Sequence, residues 1–149
     1  MKIRKGQLTD LIALVNFNQA MAMETENLQL DNDTLTRGVN GLLSHPERGF
    51  YLVAEVDGDI VGSLMVTFEW SDWRASQYYW IQSVYIRPQN RRQGIYGKLY
   101  QAVKDMAAKN GDAASFRLYV EHENKPAQST YEALGMKQSH YLMYEEKVK

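Results

Sequence analysis

Apolar residues along the first fifth of the chain recur at Leu11, Leu14, Val15 and Phe17, the spacing of one helical face. Thr9 is placed to cap that helix, which is predicted to run to about Met23. A polar stretch from Glu24 to Asp33 follows. Leu35, Val39, Leu42 and Leu43 then mark a second helix by their i, i+4, i+7, i+8 pattern. Pro46 disfavours helical geometry just before it and should stop that helix at His45.

The period then shortens. Phe50 to Glu55 and Ile60 to Trp70 read as strands joined at Asp57-Gly58, a hairpin signal. Ser71 to Gln77 reads as a polar loop, and Tyr78 to Ile86 as a third β-rich run ended by Pro88. After the basic turn Arg91-Arg92-Gln93-Gly94, a helix places Leu99, Val103 and Met106 on one face and closes at Asn110-Gly111. Phe116 to Glu121 reads as a strand. Asn124 caps a short helix with Pro126 in its first turn, and Gly135 ends it. Residues 2–6 and Tyr141 to Glu145 read as the first and last strands. The order β-α-α-β-β-β-α-β-α-β describes an α/β chain with a mixed sheet: antiparallel strands first, then a strand–helix–strand unit that implies a parallel pair.

With 149 residues and no linker or repeat, one domain spanning 1–149 is expected. The net charge of −1 argues against general nucleic-acid binding. The absence of cysteine excludes disulfides and thiol nucleophiles, and the three histidines show no metal-ligand spacing, so no metal is expected. No signal peptide and no apolar run long enough to span a membrane is present, which makes the cytoplasm the expected location.

The densest chemistry lies between Val84 and Gly97. A strand, a short loop and a glycine-opened helix stand in series there. The first turn of a helix offers unpaired N–H groups and partial positive charge, which suits a diphosphate. Gly94 keeps side-chain bulk away, and Arg91 and Arg92 add paired charge. A solvated turn with a merely conformational glycine is the blander alternative. Tyr131, by itself, reads first as a core tyrosine on the buried face of a short helix.

Arg91-Arg92-Gln93-Gly94-Ile95-Tyr96 resembles the Arg/Gln-x-x-Gly-x-Gly/Ala signature of the GCN5-related N-acetyltransferases (the GNAT superfamily), and Ser83 to Pro88 resembles the strand that precedes it. A second block, Leu118-Tyr119-Val120 followed by Asn124, Ala127, Tyr131, Gly135 and Met136, resembles the family's Asn-x-x-Ala-x-x-x-Tyr-x-x-x-Gly-Phe. Two blocks in the right order are more specific than either alone. Tyr96 departs from the pattern, with Gly97 one place late.

The resemblance implies the GNAT fold, with strands four and five splayed around acetyl-coenzyme A. It implies that Val84, Tyr85 and Ile86 pair with the pantetheine, that Arg91, Arg92, Gln93, Gly94, Ile95, Tyr96 and Gly97 surround the diphosphate, and that Asn124 lies toward the thioester. The acceptor amine would attack the thioester directly, and Tyr131 would protonate the departing thiolate. Many members carry a glutamate on strand four where Gln82 stands here. Glu24, Glu26, Glu69, His122 or an ordered water are the alternatives for the base.

On the acceptor side the resemblance points to Glu24, Glu26, Trp70, Trp73 and Gln82. Segment 67–73 resembles the polyamine and thialysine acetyltransferase branch, although that branch's acidic pair on strand four is Gln82-Ser83 here. The expected partner is a small-molecule amine, and the family's habits make a homodimer one expected assembly. A protein or peptide acetyltransferase, or a non-catalytic acyl-CoA-binding module, are the competing readings.

Overall fold

A computed structural model describes residues 1–148. The chain forms two compact units, Met1–Leu118 and the remainder from Tyr119 onward. The first holds β1 (Lys2–Lys5), α1 (Leu11–Glu26), α2 (Asn32–Leu43), β2 (Gly49–Val56), β3 (Asp59–Ser71), β4 (Ser76–Ile86), α3 (Ile95–Asn110) and β5 (Ala113–Arg117). The second holds α4 (Lys125–Ala133).

The strands form one sheet in the order β1-β2-β3-β4-β5. The first four pair antiparallel, while β4 and β5 run parallel. This is the mixed GNAT arrangement the sequence implies. Alternation along each strand sorts side chains onto two faces. On one face Tyr51, Val53 and Met65 pack against Leu14 and Val15 of α1 and Val39 and Leu42 of α2. On the other, Phe68, Tyr79, Phe116 and Tyr100 of α3 form a chain of edge-on rings 5.1 to 6.0 Å apart. Leu99 and Val103 of α3 are fully buried. A buried side chain of this size contributes about 1.5–3 kcal/mol, so both helical layers are held mainly by apolar contact.

Turn chemistry follows the sequence closely. Asp57 and Gly58 both adopt positive φ (50° and 83°), the tight hairpin geometry that Asp-Gly favours. Gly111 and Gly135 close α3 and α4 at φ 69° and 103°.

Four local expectations need correction. Thr9 does not cap α1. The chain makes a 3-10 turn over Leu8–Asp10, and the Asp10 carboxylate accepts the Gln7 N–H at 2.7 Å instead. The polar loop shrinks, because β3 and β4 extend until Ser71 pairs Ser76. The fifth strand lies earlier than Phe116–Glu121, at Ala113–Arg117, because its parallel partner on β4 spans only Gln77 to Trp80. Tyr141 to Glu145 forms no strand. Its alternation is strand-like, but among the described residues its backbone joins no ladder, and Tyr141, Leu142 and Tyr144 are exposed.

Candidate active site

β4 carries the features that could hold an extended ligand. Its pairing with β5 ends at Trp80–Arg117, so among the described residues Ile81 to Ile86 have no strand partner on that side. Toward β3 the ladder jumps from Met65–Gln82 to Ser63–Tyr85. The extra residue falls at Ser83, which adopts φ 51°. Such a bulge bends a strand and redirects its backbone groups. Gly62 sits across from the end of β4. A Cβ there would meet Ile86 Cδ1 at 2.6 Å and the Tyr85 carbonyl at 3.1 Å, so glycine is what lets the two strands approach.

Beyond β4 a 3-10 turn over Pro88–Asn90 leads to Arg92 (φ 62°) and Gly94 (φ 76°), and α3 begins at Ile95. Lys98 N–H bonds back to the Gly94 carbonyl at 3.1 Å, while the amides of Gly94, Ile95 and Gly97 have no backbone acceptor among the described residues. Apart from its two chain neighbours, nothing lies within 4 Å of where a Cβ on Gly94 would stand. Amides without a backbone acceptor at a helix N-terminus suit an anionic group. The Tyr96 ring stacks on Tyr100 one turn along, 6.2 Å between centroids and nearly parallel. Gln93 donates to the Gln89 carbonyl at 3.4 Å.

The two arginines part company. Arg92 is exposed, with no side-chain partner among the described residues. Arg91 donates from Nε to the Ile86 carbonyl (2.8 Å), bridges both carboxylate oxygens of Glu24 (3.0 and 3.2 Å), and lies over the Tyr85 ring. Tyr85 is itself buried against Phe17 of α1.

On the α1/α2 face of the sheet, Gln82 donates to the Thr67 hydroxyl at 2.7 Å. The Glu69 carboxylate accepts from the Trp80 indole (2.8 Å) and from Arg117 (3.1 Å), and the Arg117 guanidinium rests 3.5 Å from the centre of the Tyr78 ring. Hydrogen bonds from Arg74, then Ser71, hold the Tyr78 phenol below its ordinary value. Strand alternation puts Trp70 on the opposite face, with Phe68, and Trp73 projects from the hairpin turn at 93% exposure. Neither tryptophan is brought beside Gln82. Trp80 and Thr67 are, and the sequence reading missed both. The signal was available, since Trp80 shares a strand face with Gln82 by simple alternation. Glu26 is exposed at the end of α1.

In the second unit, the Asn124 side chain accepts the Ala127 N–H at 3.2 Å and caps α4. Burial raises the Tyr131 phenol above its ordinary value. The His122 carbonyl accepts from Gln128 at 3.0 Å, which ties down the loop before α4.

The chain is similar to an uncharacterized N-acetyltransferase, YhfO, of Bacillus subtilis (31% identical, covering 62% of this chain and 64% of that protein). It is also similar to the thialysine N-epsilon-acetyltransferase of Mus musculus (37% identical, covering 56% and 53%). The chain thus spans about half to two thirds of the length of these curated relatives. A crystal structure of a possible acetyltransferase from Clostridium difficile 630 superposes with a TM-score of 0.94 at 42% identity, covering 99% of this chain and 97% of that one. The family model for the acetyltransferase (GNAT) family matches residues 14–136. On that match, which takes in both sequence blocks and most of the sheet, the chain belongs to the GNAT acetyltransferase family.

Proposed function

We propose that this protein moves an acetyl group from acetyl-coenzyme A to a primary amine of a small molecule. The observation that carries this reading is the opening of α3 at Gly94, whose first amides have no backbone acceptor among the described residues, directly beyond a stretch of β4 that no strand pairs among those residues. The diphosphate is assigned to Gly94, Ile95 and Gly97 with Arg92, and the pantetheine amides to the free edge of β4 around Val84. The amine, having given up its ammonium proton to water, attacks the thioester carbonyl carbon through nitrogen; the carbon–sulfur bond breaks, the new amide nitrogen sheds its second proton to water, and the departing thiolate takes a proton from Tyr131. A β4 amide near the Ser83 bulge is the proposed donor to the developing oxyanion.

Tyr131 is the proposed proton donor. Its raised pKa keeps it protonated at neutral pH, and it also makes the transfer to a thiol-like leaving group of pKa about 8.5 uphill. Its contribution should therefore be modest. Tyr131→Phe is expected to lower kcat by about 10²-fold, at the low end for a general acid, with KM for acetyl-CoA within about twofold. A kcat unchanged by the substitution would remove Tyr131 from the chemistry.

A small-molecule acceptor is supported by the similarity to the thialysine enzyme. The test is release of free thiol from acetyl-CoA with panels of lysine-like amines, aminoglycosides and peptide N-termini, beside calorimetry with CoA. Turnover with a small amine supports the reading, and turnover with peptides alone transfers it to the protein class. One observation favours a second reading, a non-catalytic acyl-CoA-binding module. The position of a strand-four base is filled by an amide, Gln82, already bonded to Thr67. Tight CoA binding with no thiol release on any panel would establish it.

A further inference from the structure

Neighbouring arginines in a phosphate-binding turn look interchangeable, and the structure gives them different neighbours. Arg91 spends its donors inside the protein. Nε holds the last carbonyl of β4, at Ile86, and one terminal nitrogen, Nη2, reaches both carboxylate oxygens of Glu24 near the C-terminal end of α1, 67 positions earlier in the chain. Its flat face covers Tyr85 at 5.4 Å. A guanidinium can make these bonds together because its donors form a rigid planar fork, which an ammonium lacks. Arg92, one residue on and in left-handed backbone geometry, leaves its charge outside.

We propose that Arg91 is a positioning residue. With Glu24 it forms a strut that fixes the turn before α3 against α1, so that the Gly94 amides are already aimed when a diphosphate arrives. Arg92 is the arginine that meets the phosphates. The inference rests on the proposed function only in placing that diphosphate at Gly94. It also withdraws Glu24 from the acceptor pocket, since both of its oxygens are clasped. The strut is not there for stability. Its side chains are 44% and 40% exposed, and exposed pairs of this kind contribute little to folding. Holding geometry for a ligand is what remains for it to do.

The sign of one substitution separates the roles. If Arg91 bound phosphate directly, Glu24→Gln would remove a competing anion and tighten CoA binding. If Arg91 positions the turn, the same change loosens the strut and weakens binding. Calorimetry with CoA is run on the wild type, Glu24→Gln, Arg91→Lys, Arg92→Gln and the pairwise doubles. Glu24→Gln and Arg91→Lys should each weaken CoA about three- to tenfold, and their double should be no weaker than the worse single, as for two ends of one device. Glu24→Gln with Arg92→Gln should instead show the product of the two single effects. Ligand-free melting temperatures of the Glu24 variant should stay within about 2 °C of wild type, which separates aiming from unfolding. Glu24→Gln that leaves affinity unchanged or tightens it overturns the strut alone. A wild-type protein that binds no CoA overturns the site with it.

Discussion

Asp10 is a carboxylate at 5% exposure, and it survives there because three donors reach it. Arg4 supplies two, at 2.8 and 3.0 Å, and the Gln7 N–H a third. Arg4 also reaches Glu55 on β2, so one guanidinium ties β1, β2 and the entry to α1 together. Removing the cation should hurt more than removing the anion's charge. Arg4→Met strands a buried carboxylate and is expected to cost about 3 kcal/mol in urea unfolding, whereas Asp10→Asn keeps an acceptor for Gln7 and should cost about 1–2 kcal/mol. The reverse order would mean that the Asp10 carboxylate is not stranded once Arg4 is gone, because water or a proton reaches it. Thr9, the residue that cap preferences single out, was the wrong choice because its neighbour Asp10 takes the Gln7 N–H and is held there by Arg4. The same limit hid the difference between Arg91 and Arg92. Which arginine is occupied depends on Glu24, and nothing local to the turn announces it.

At the scale of elements, the α3 start makes the sharpest separation of stability from binding. Gly94 holds φ 76° with nothing near its missing Cβ. Gly94→Ala therefore meets a backbone penalty of about 1–2 kcal/mol and no steric clash inside the protein. Its new methyl stands where a diphosphate would lie, so CoA affinity should fall by more than tenfold while urea unfolding moves only by that backbone penalty. Equal affinity for wild type and variant would place the diphosphate elsewhere. This element was legible because its determinants are local: a proline-ended strand, a glycine, then a helical period. The Asp57-Gly58 hairpin was legible for the same reason. The fifth strand slipped because its register is imposed by a parallel partner more than thirty positions away, and Tyr141 to Glu145 shows that alternation states a capacity to pair without naming an edge to pair with.

The whole molecule should lose stability on two pH flanks that report the same layer. On the acid side, Arg4 and then the Gln7 N–H hold the Asp10 carboxyl below its ordinary value near 3.8. A depressed folded pKa contributes stability above the unfolded value and loses it as pH falls through the folded one. On the alkaline side, burial pushes the Tyr51 phenol from 10.0 up to about 12. That stability is complete below pH 10 and drains as pH rises from 10 toward 12, by up to about 3 kcal/mol. Tyr51 packs directly under Leu14 and Val39, so its ionisation pulls charge into the contact between the sheet and the α1/α2 layer. Burial also raises Tyr79, Tyr100 and Tyr131, so the wild-type flank should be steeper than one group alone gives. Urea midpoints from pH 9 to 11.5 for wild type and Tyr51→Phe isolate its share. The wild type should fall more steeply by about 1.4 kcal/mol per pH unit, one proton's worth, and the Phe variant should keep the shallower slope of the remaining phenols. Parallel curves would show that the Tyr51 phenol has the same pKa folded and unfolded, and that its place in the contact does not hold it protonated.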